Sequence, residues 1–295
     1  MQLKKYYILR TIFVTISIAI IVILSPITKF SEVKIELILL GFVATFGLSH
    51  GSLDWALARH WGIRRTFTES IIFITSYAMI VLITLGLWSW VPTIALVIFL
   101  VMSVFHFAND WRNEITTNSA LILGLSTVTV PGIAYQKEIL DIFKLLITDS
   151  SALHLSHFLH IVGFLSLAAS SLIAIQQFKI SRFFSLEIIT LLVIGVVLPP
   201  IIYFSIYFCV LHSTKHMFAM KEIGLYQHFF QTTWSAVWPT VVCIIVGACF
   251  CYQENTLSFS ESLIRNTFIG LAALTVPHWI LLEIYPAFFQ RQGPA

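Results

Sequence analysis

Residues 92–111 read PTIALVIFLVMSVFHFANDW. After Thr93 the run stays apolar, broken only by Ser103, until His106 and Asp110 fall one helical turn apart at its end. The hydrocarbon core of a bilayer is about 30 Å thick and takes roughly 20 apolar residues at about 1.5 Å of rise each. The stretch 92–109 therefore reads as a transmembrane helix with an imidazole and a carboxylate at one end.

The rest of the chain agrees with that reading. Hydrophobic residues make up 58% of the 295 positions and charged residues 11%, whereas soluble domains carry roughly 25% charge. Mean hydropathy is +0.91. Twenty-five phenylalanines and eight tryptophans suit a lipid-facing surface with interfacial anchors. A net charge of +3 without a basic stripe argues against nucleic acid as a partner. Cys209, Cys243, Cys249 and Cys251 lie in apolar segments without zinc-ligand spacing, so neither a disulfide framework nor a thiolate metal site is expected.

Ten apolar runs are candidate spans: 8–25, 34–53, 70–89, 92–109, 119–135, 158–175, 184–198, 201–219, 235–252 and 262–283. Pro199-Pro200 separates the short seventh run from the eighth, so eight to ten spans are expected. Lys4, Lys5 and Arg10 precede the first run as in a signal peptide, but no small-residue cleavage site follows, and the segment reads as a retained span. With ten spans, one side collects twelve cations: Lys4, Lys5, Arg10, Arg59, Arg64, Arg65, Arg112, Lys179, Arg182, Lys215, Lys221 and Arg291. The other side has five: Lys29, Lys34, Lys137, Lys144 and Arg265. The excess places both termini in the cytoplasm. The expected fold is an all-α, polytopic transmembrane helical bundle forming a single integral membrane domain over 1–295, with an interfacial amphipathic helix in 136–157.

The ten histidines sort by depth. His50, His106, His212, His216 and His278 lie near the cytoplasmic ends of four spans. His60 and His228 belong to connections, while His154, His157 and His160 form a polar stripe at the opposite face. Intramembrane polar residues are costly and mark functional sites by default. His212-Ser-Thr-Lys-His216 sets two imidazoles on one helical face, where both can reach one metal. His50-Gly-Ser-Leu-Asp54-Trp55 and His106-Phe-Ala-Asn-Asp110-Trp111 share the pattern HxxxDW, so Asp54 and Asp110 are placed to orient an imidazole. Gly47 and Gly51 allow close helix approach beside His50, and Pro277 bends the helix before His278. The candidate metal ligands are His50, His106, His212 and His216, with His278, Asp54 and Asp110 beside them.

Four imidazoles without a thiolate suit iron, zinc or copper. Iron(II) so bound leaves positions for dioxygen, and the apolar setting implies a lipid-like substrate. Residue chemistry alone leads to metal-dependent oxidation of a hydrophobic molecule. A lipid desaturase or hydroxylase would need repeated HxxxH and HxxHH boxes, but the chain has one HxxxH and no HxxHH. A b-type haem protein needs facing axial histidines, which His50, His106 and His212 offer. A transporter is disfavoured because Asp54, Asp110 and Glu283 sit at span ends.

The segments Gly47–Trp55, Phe105–Asp110, Leu211–His216 and Thr275–His278 resemble the Brp/Blh family of membrane β-carotene 15,15′-dioxygenases, in order and spacing, through residues from about 40 to 283. The resemblance implies cleavage of the central double bond of β-carotene, or a related carotenoid, by dioxygen to two retinal molecules. It implies Fe(2+) on His50, His106, His212 and His216, with His278 near the site. It also implies a prokaryotic inner (cell) membrane location and hand-over of retinal to a rhodopsin. Phe105, Phe107, Trp55 and Tyr207 are expected to line a substrate tunnel or stabilise a cationic intermediate.

Overall fold

Long apolar helices in this chain keep large side chains on their outer faces. In the computed structural model Ile71, Ile72, Leu82 and Ile83 of one helix, and Phe158, Ile161, Leu165 and Leu172 of another, are all exposed. Such faces are stable in hydrocarbon, not in water. The structure describes residues 2–24, 53–222 and 257–286, with isolated positions at 41, 43, 241 and 245. The candidate spans 34–53 and 235–252 lie almost wholly outside the described residues, as do His50, Gly47, Gly51, His228, Cys243, Cys249 and Cys251.

In chain order the helices are α1 (Gln2–Leu24), α2 (Asp54–His60), α3 (Phe67–Trp90), α4 (Pro92–Ala108), α5 (Thr117–Thr129) and α6 (Pro131–Ala134). There follow α7 (Gln136–Leu146), α8 (Asp149–Phe178), α9 (Arg182–Val197), α10 (Pro200–Ile206), α11 (Ser213–Glu222) and α12 (Phe259–Trp279). π-Helical segments continue α10 at Tyr207–His212 and α12 at Ile280–Ile284. No strand occurs among the described residues. Tyr6–Ile23, Phe67–Trp90, Thr117–Ala134, Asp149–Phe178 and Phe259–Ile284 are each long and apolar enough to cross a membrane, and Pro92–Ala108 is a shorter apolar helix. The protein is an all-α polytopic membrane protein.

Residues 136–157 divide between two helices. α7 is amphipathic and buries Ile142, Phe143 and Leu146, whereas residues from Asp149 onward already belong to the thirty-residue α8. Leu198 and Pro199 part α9 from α10, because a proline cannot continue the hydrogen-bond ladder. Both α3 and α12 start with capping boxes: Thr66 with Glu69, and Ser258 with Glu261.

The chain divides into two compact units, Met1–Val43 with Leu96–His216 and Ala44–Ala95 with Met217–Ala295. In the first, α5 lies tightly on α4: a Cβ on Gly124 would sit 2.3 Å from the Val104 carbonyl oxygen and 2.9 Å from the Ala108 nitrogen. Hydroxyls join α5 to α8, with Ser126 donating to the Ser166 carbonyl at 2.9 Å and Thr129 and Ser166 hydroxyls 2.8 Å apart. Small and hydroxylated side chains of this kind carry helix association where lipid removes the hydrophobic drive. In the second unit Leu53, Leu57, Met220 and Leu281 form a buried cluster flanked by Trp61, Ile63, Phe73 and Leu282.

Two cations counted toward the cytoplasmic interface are buried instead. Arg10 is 2% exposed and Lys215 4%. Both reach Glu187 of α9, which is 0% exposed: Arg10 Nε donates at 2.9 Å and Lys215 Nζ at 2.6 Å. Arg10 also pairs with Glu114, and Trp111 Nε1 donates to Glu187 at 2.7 Å. A carboxylate withdrawn from water needs these donors, since an unpaired buried charge costs several kcal/mol.

The packing of α5 on α4 yields an expected outcome. Gly124→Ala forces a methyl against backbone and lowers stability by about 1–3 kcal/mol. Gly86→Ala, where nothing lies within 4 Å, is neutral or stabilising. Thermal unfolding in detergent separates the two, and equal midpoints would contradict the close approach.

Candidate functional site

Helix α4 ends at Ala108, and the chain turns through hydrogen bonds from Asn109, Asp110 and Trp111 to the carbonyls of His106, Phe107 and Ala108. That turn carries Asp110 away from the helix axis toward the π-helical segment Tyr207–His212. His212 Nδ1 lies 3.1 Å and 3.2 Å from the two Asp110 carboxylate oxygens. Tyr207 donates its hydroxyl to Asp110 Oδ2 at 2.8 Å. An ionised carboxylate only accepts, so the His212 Nδ1–H is the donor and Nε2 holds the ring's lone pair. This is the orientation that carboxylates impose on metal-binding imidazoles.

His106 is buried at 5% exposure, and its ring meets that of His212 edge-on with centroids 4.7 Å apart. Phe107 packs edge-on against His212 at 5.1 Å, and Phe208 stacks on it at 5.5 Å. The two rings and the carboxylate thus sit among aromatic side chains. Of the aromatics expected here, Phe107 and Tyr207 do belong to this cluster. Phe105 is 42% exposed instead, and Trp55 lies under the Arg64 guanidinium. His216 follows His212 by four residues on α11 and is half-buried. Among the described residues no set of three or more His, Cys, Asp or Glu side chains is gathered as a metal site.

The second unit repeats the arrangement. His278, buried in α12 just after Pro277, has its Nδ1 2.7 Å from Asp54 Oδ1. Tyr77 of α3 donates to Asp54 Oδ2 at 3.0 Å. Each HxxxDW carboxylate therefore receives one tyrosine hydroxyl and one histidine Nδ1. Orienting roles for both acids are legible in the sequence; Tyr77 and Glu187 are not, and Tyr207 is expected there only as a tunnel or cation-stabilising aromatic. No local pattern marks them, because Tyr207 is 97 positions from Asp110 and Glu187 is 76 from Trp111.

His154, His157 and His160 use separate partners: the Ser150 carbonyl, the Gln136 amide and the Gly132 carbonyl. All three lie on α8, and their partners lie on α8, α7 and α6.

Fold and site together define an integral membrane protein with buried, carboxylate-held histidines. The family model described as beta-carotene 15,15'-dioxygenase matches residues 41–285. A relative named beta-carotene 15,15'-dioxygenase, from uncultured marine bacterium 66A03, is 27% identical over 265 residues, covering 83% of this chain and 91% of the relative. No solved structure matches the chain. The chain belongs to the β-carotene 15,15′-dioxygenase family and is an enzyme of the oxidoreductase class.

The Tyr207–Asp110–His212 chain of hydrogen bonds sets an order of effects. Asp110→Ala strips the acceptor from two buried donors, each costing about 1–3 kcal/mol. Tyr207→Phe removes one hydrogen bond, worth about 0.5–1.5 kcal/mol. Detergent melting should show the larger loss for Asp110→Ala; the reverse order would rule out the carboxylate as the hub.

Proposed function

We propose that the chain cleaves the central 15,15′ double bond of β-carotene, or a closely related carotenoid, with dioxygen and forms two retinal molecules. The reaction adds one oxygen atom to each carbon of the broken C=C bond, so both atoms of dioxygen enter the two aldehydes. The observation that carries the reading is the His106–His212 pair, with His212 held by Asp110, inside the residues matched by the family.

The cofactor we assign is iron(II), which His106, His212, His216 and His50 would hold. The donor set supports it: imidazole nitrogens, no thiolate, and a carboxylate behind one ring. Bound iron would supply the dioxygen binding and redox capacity that side chains lack. Asp110 fixes the tautomer and direction of the His212 ring, and Tyr207 fixes Asp110. Phe107 and Phe208 exclude water from that ring. His278, held by Asp54 in the second unit, keeps the near-site role that the family resemblance implies.

The substrate is a rigid apolar polyene that dissolves in a bilayer, and entry between helices from the lipid suits the apolar outer faces. The products are membrane-soluble aldehydes, fit for hand-over to a retinal-binding rhodopsin in the same prokaryotic cell membrane.

Expression in β-carotene-producing bacteria is the test. The orange colour bleaches and retinal accumulates. Unchanged pigment alongside well-expressed, iron-loaded protein refutes the reading, and a Soret band in the purified protein would favour a haem protein instead. Alanine at His50, His106, His212 or His216 removes iron and activity together. His154→Ala and His157→Ala retain both.

A further inference from the structure

The buried charges of the first unit converge on the turn that carries the paired histidines. Lys215 lies three residues after His212 and one before His216. Its Nζ donates to Glu187 at 2.6 Å and to the Asp110 carbonyl at 3.1 Å, and it sits 5.1 Å from the Trp111 ring centroid. Glu187 in turn accepts from Trp111 Nε1 at 2.7 Å and from Arg10 Nε at 2.9 Å. One carboxylate on α9 therefore grips the tryptophan of HxxxDW and the lysine of HSTKH at once. These are the two segments that deliver His106 with Asp110, and His212 with His216.

Arg10 closes the arrangement from α1, with its guanidinium shared between Glu187 and Glu114. Neutralising Glu187 would leave Arg10 with Glu114 alone and Lys215 without the carboxylate it donates to. Arg10 also lies outside the residues matched by the family, which begin at 41. The support reaches the site from a helix the family pattern does not include.

We infer that Glu187 and Arg10 are positioning residues for the metal-binding turn: the Arg10–Glu187–Lys215 strut sets His212 and His216 against His106 and Asp110, and makes α1 part of the functional site. The inference rests on the proposed reading of these histidines as metal ligands. Groups that support ligands from behind typically alter metal affinity by about 10–100-fold when removed. The strut acts on the ligands through geometry, so its loss should change metal affinity and ligand field as well as fold stability.

Cobalt(II) titration of metal-free, full-length protein in detergent tests this, read by its d–d absorption, with thermal midpoints measured alongside. Glu187→Gln and Arg10→Gln are expected to bind cobalt(II) at least about tenfold more weakly than wild type, with shifted or weakened bands. In the iron(II)-loaded enzyme both should lower kcat with little change in KM, since neither residue meets the substrate. Wild-type affinity and bands in both variants would overturn the inference, even if their midpoints fall, and would leave the metal reading standing. If wild type itself binds neither cobalt(II) nor iron(II), the metal reading falls and this inference with it. Should Glu187→Gln fail to accumulate, Glu187→Gln/Lys215→Met removes anion and cation together, and Arg10→Lys keeps charge but cannot span both acids. Wild-type cobalt(II) binding in that pair is equally fatal to the strut.

Discussion

Glu187 is wholly enclosed by protein, and its carboxylate is held by an arginine, a lysine and a tryptophan from three other parts of the chain. An ionised group in such a place is tolerable only while every donor stays put. The separations of these partners from Glu187 are 177, 28 and 76 positions. Helix α1, the turn after α4, helix α9 and the first turn of α11 are therefore bound to one another by a single electrostatic requirement. Apolar outer faces suit helices such as α1 to a membrane, but apolar faces slide. It is the buried charges that give the unit one register, as a fixed polar contact does in other helical assemblies.

The backbone of the histidine segments departs from regular α-helix where the polar contacts need it. Tyr207–His212 is π-helical, and Ser213 sends its hydroxyl to the Phe208 carbonyl five residues back. A π segment turns more slowly per residue than α-helix, which brings Tyr207 and His212 together onto Asp110. Ile280–Ile284 has the same form just after His278, in the helix that carries Pro277. Such local widening is unfavourable by itself and concentrates at functional sites.

Hydropathy made the described membrane helices legible, and the errors in it are physical. The run 70–89 begins three residues late because Thr66 and Glu69, which cap the helix, are polar and drop out of an apolar window. The run 158–175 misses the start of α8 because His154 and His157 lower hydropathy without ending the helix. Arg10 and Lys215 were read as interfacial because an isolated cation looks the same whether water or a distant carboxylate neutralises it. HxxxDW and HSTKH were legible as local patterns at helical spacing. Their partners were not: only the fold brings Tyr207 to Asp110, Tyr77 to Asp54, and Glu187 to Trp111 and Lys215.

The two HxxxDW segments show what the repeated pattern is for. Asp110 serves a ring 102 positions away and Asp54 a ring 224 positions away, so each carboxylate reaches a histidine on another helix. The tyrosine on each acid comes from a different distance, 97 positions for Asp110 and 23 for Asp54. The two units thus reach one chemical arrangement by different routes through the chain. What recurs is a carboxylate at a helix end that accepts from a tyrosine hydroxyl and a histidine. A buried imidazole that donates through Nδ1 has its Nε2 set as an acceptor, whichever unit it belongs to. By that criterion His278 is chemically the counterpart of His212.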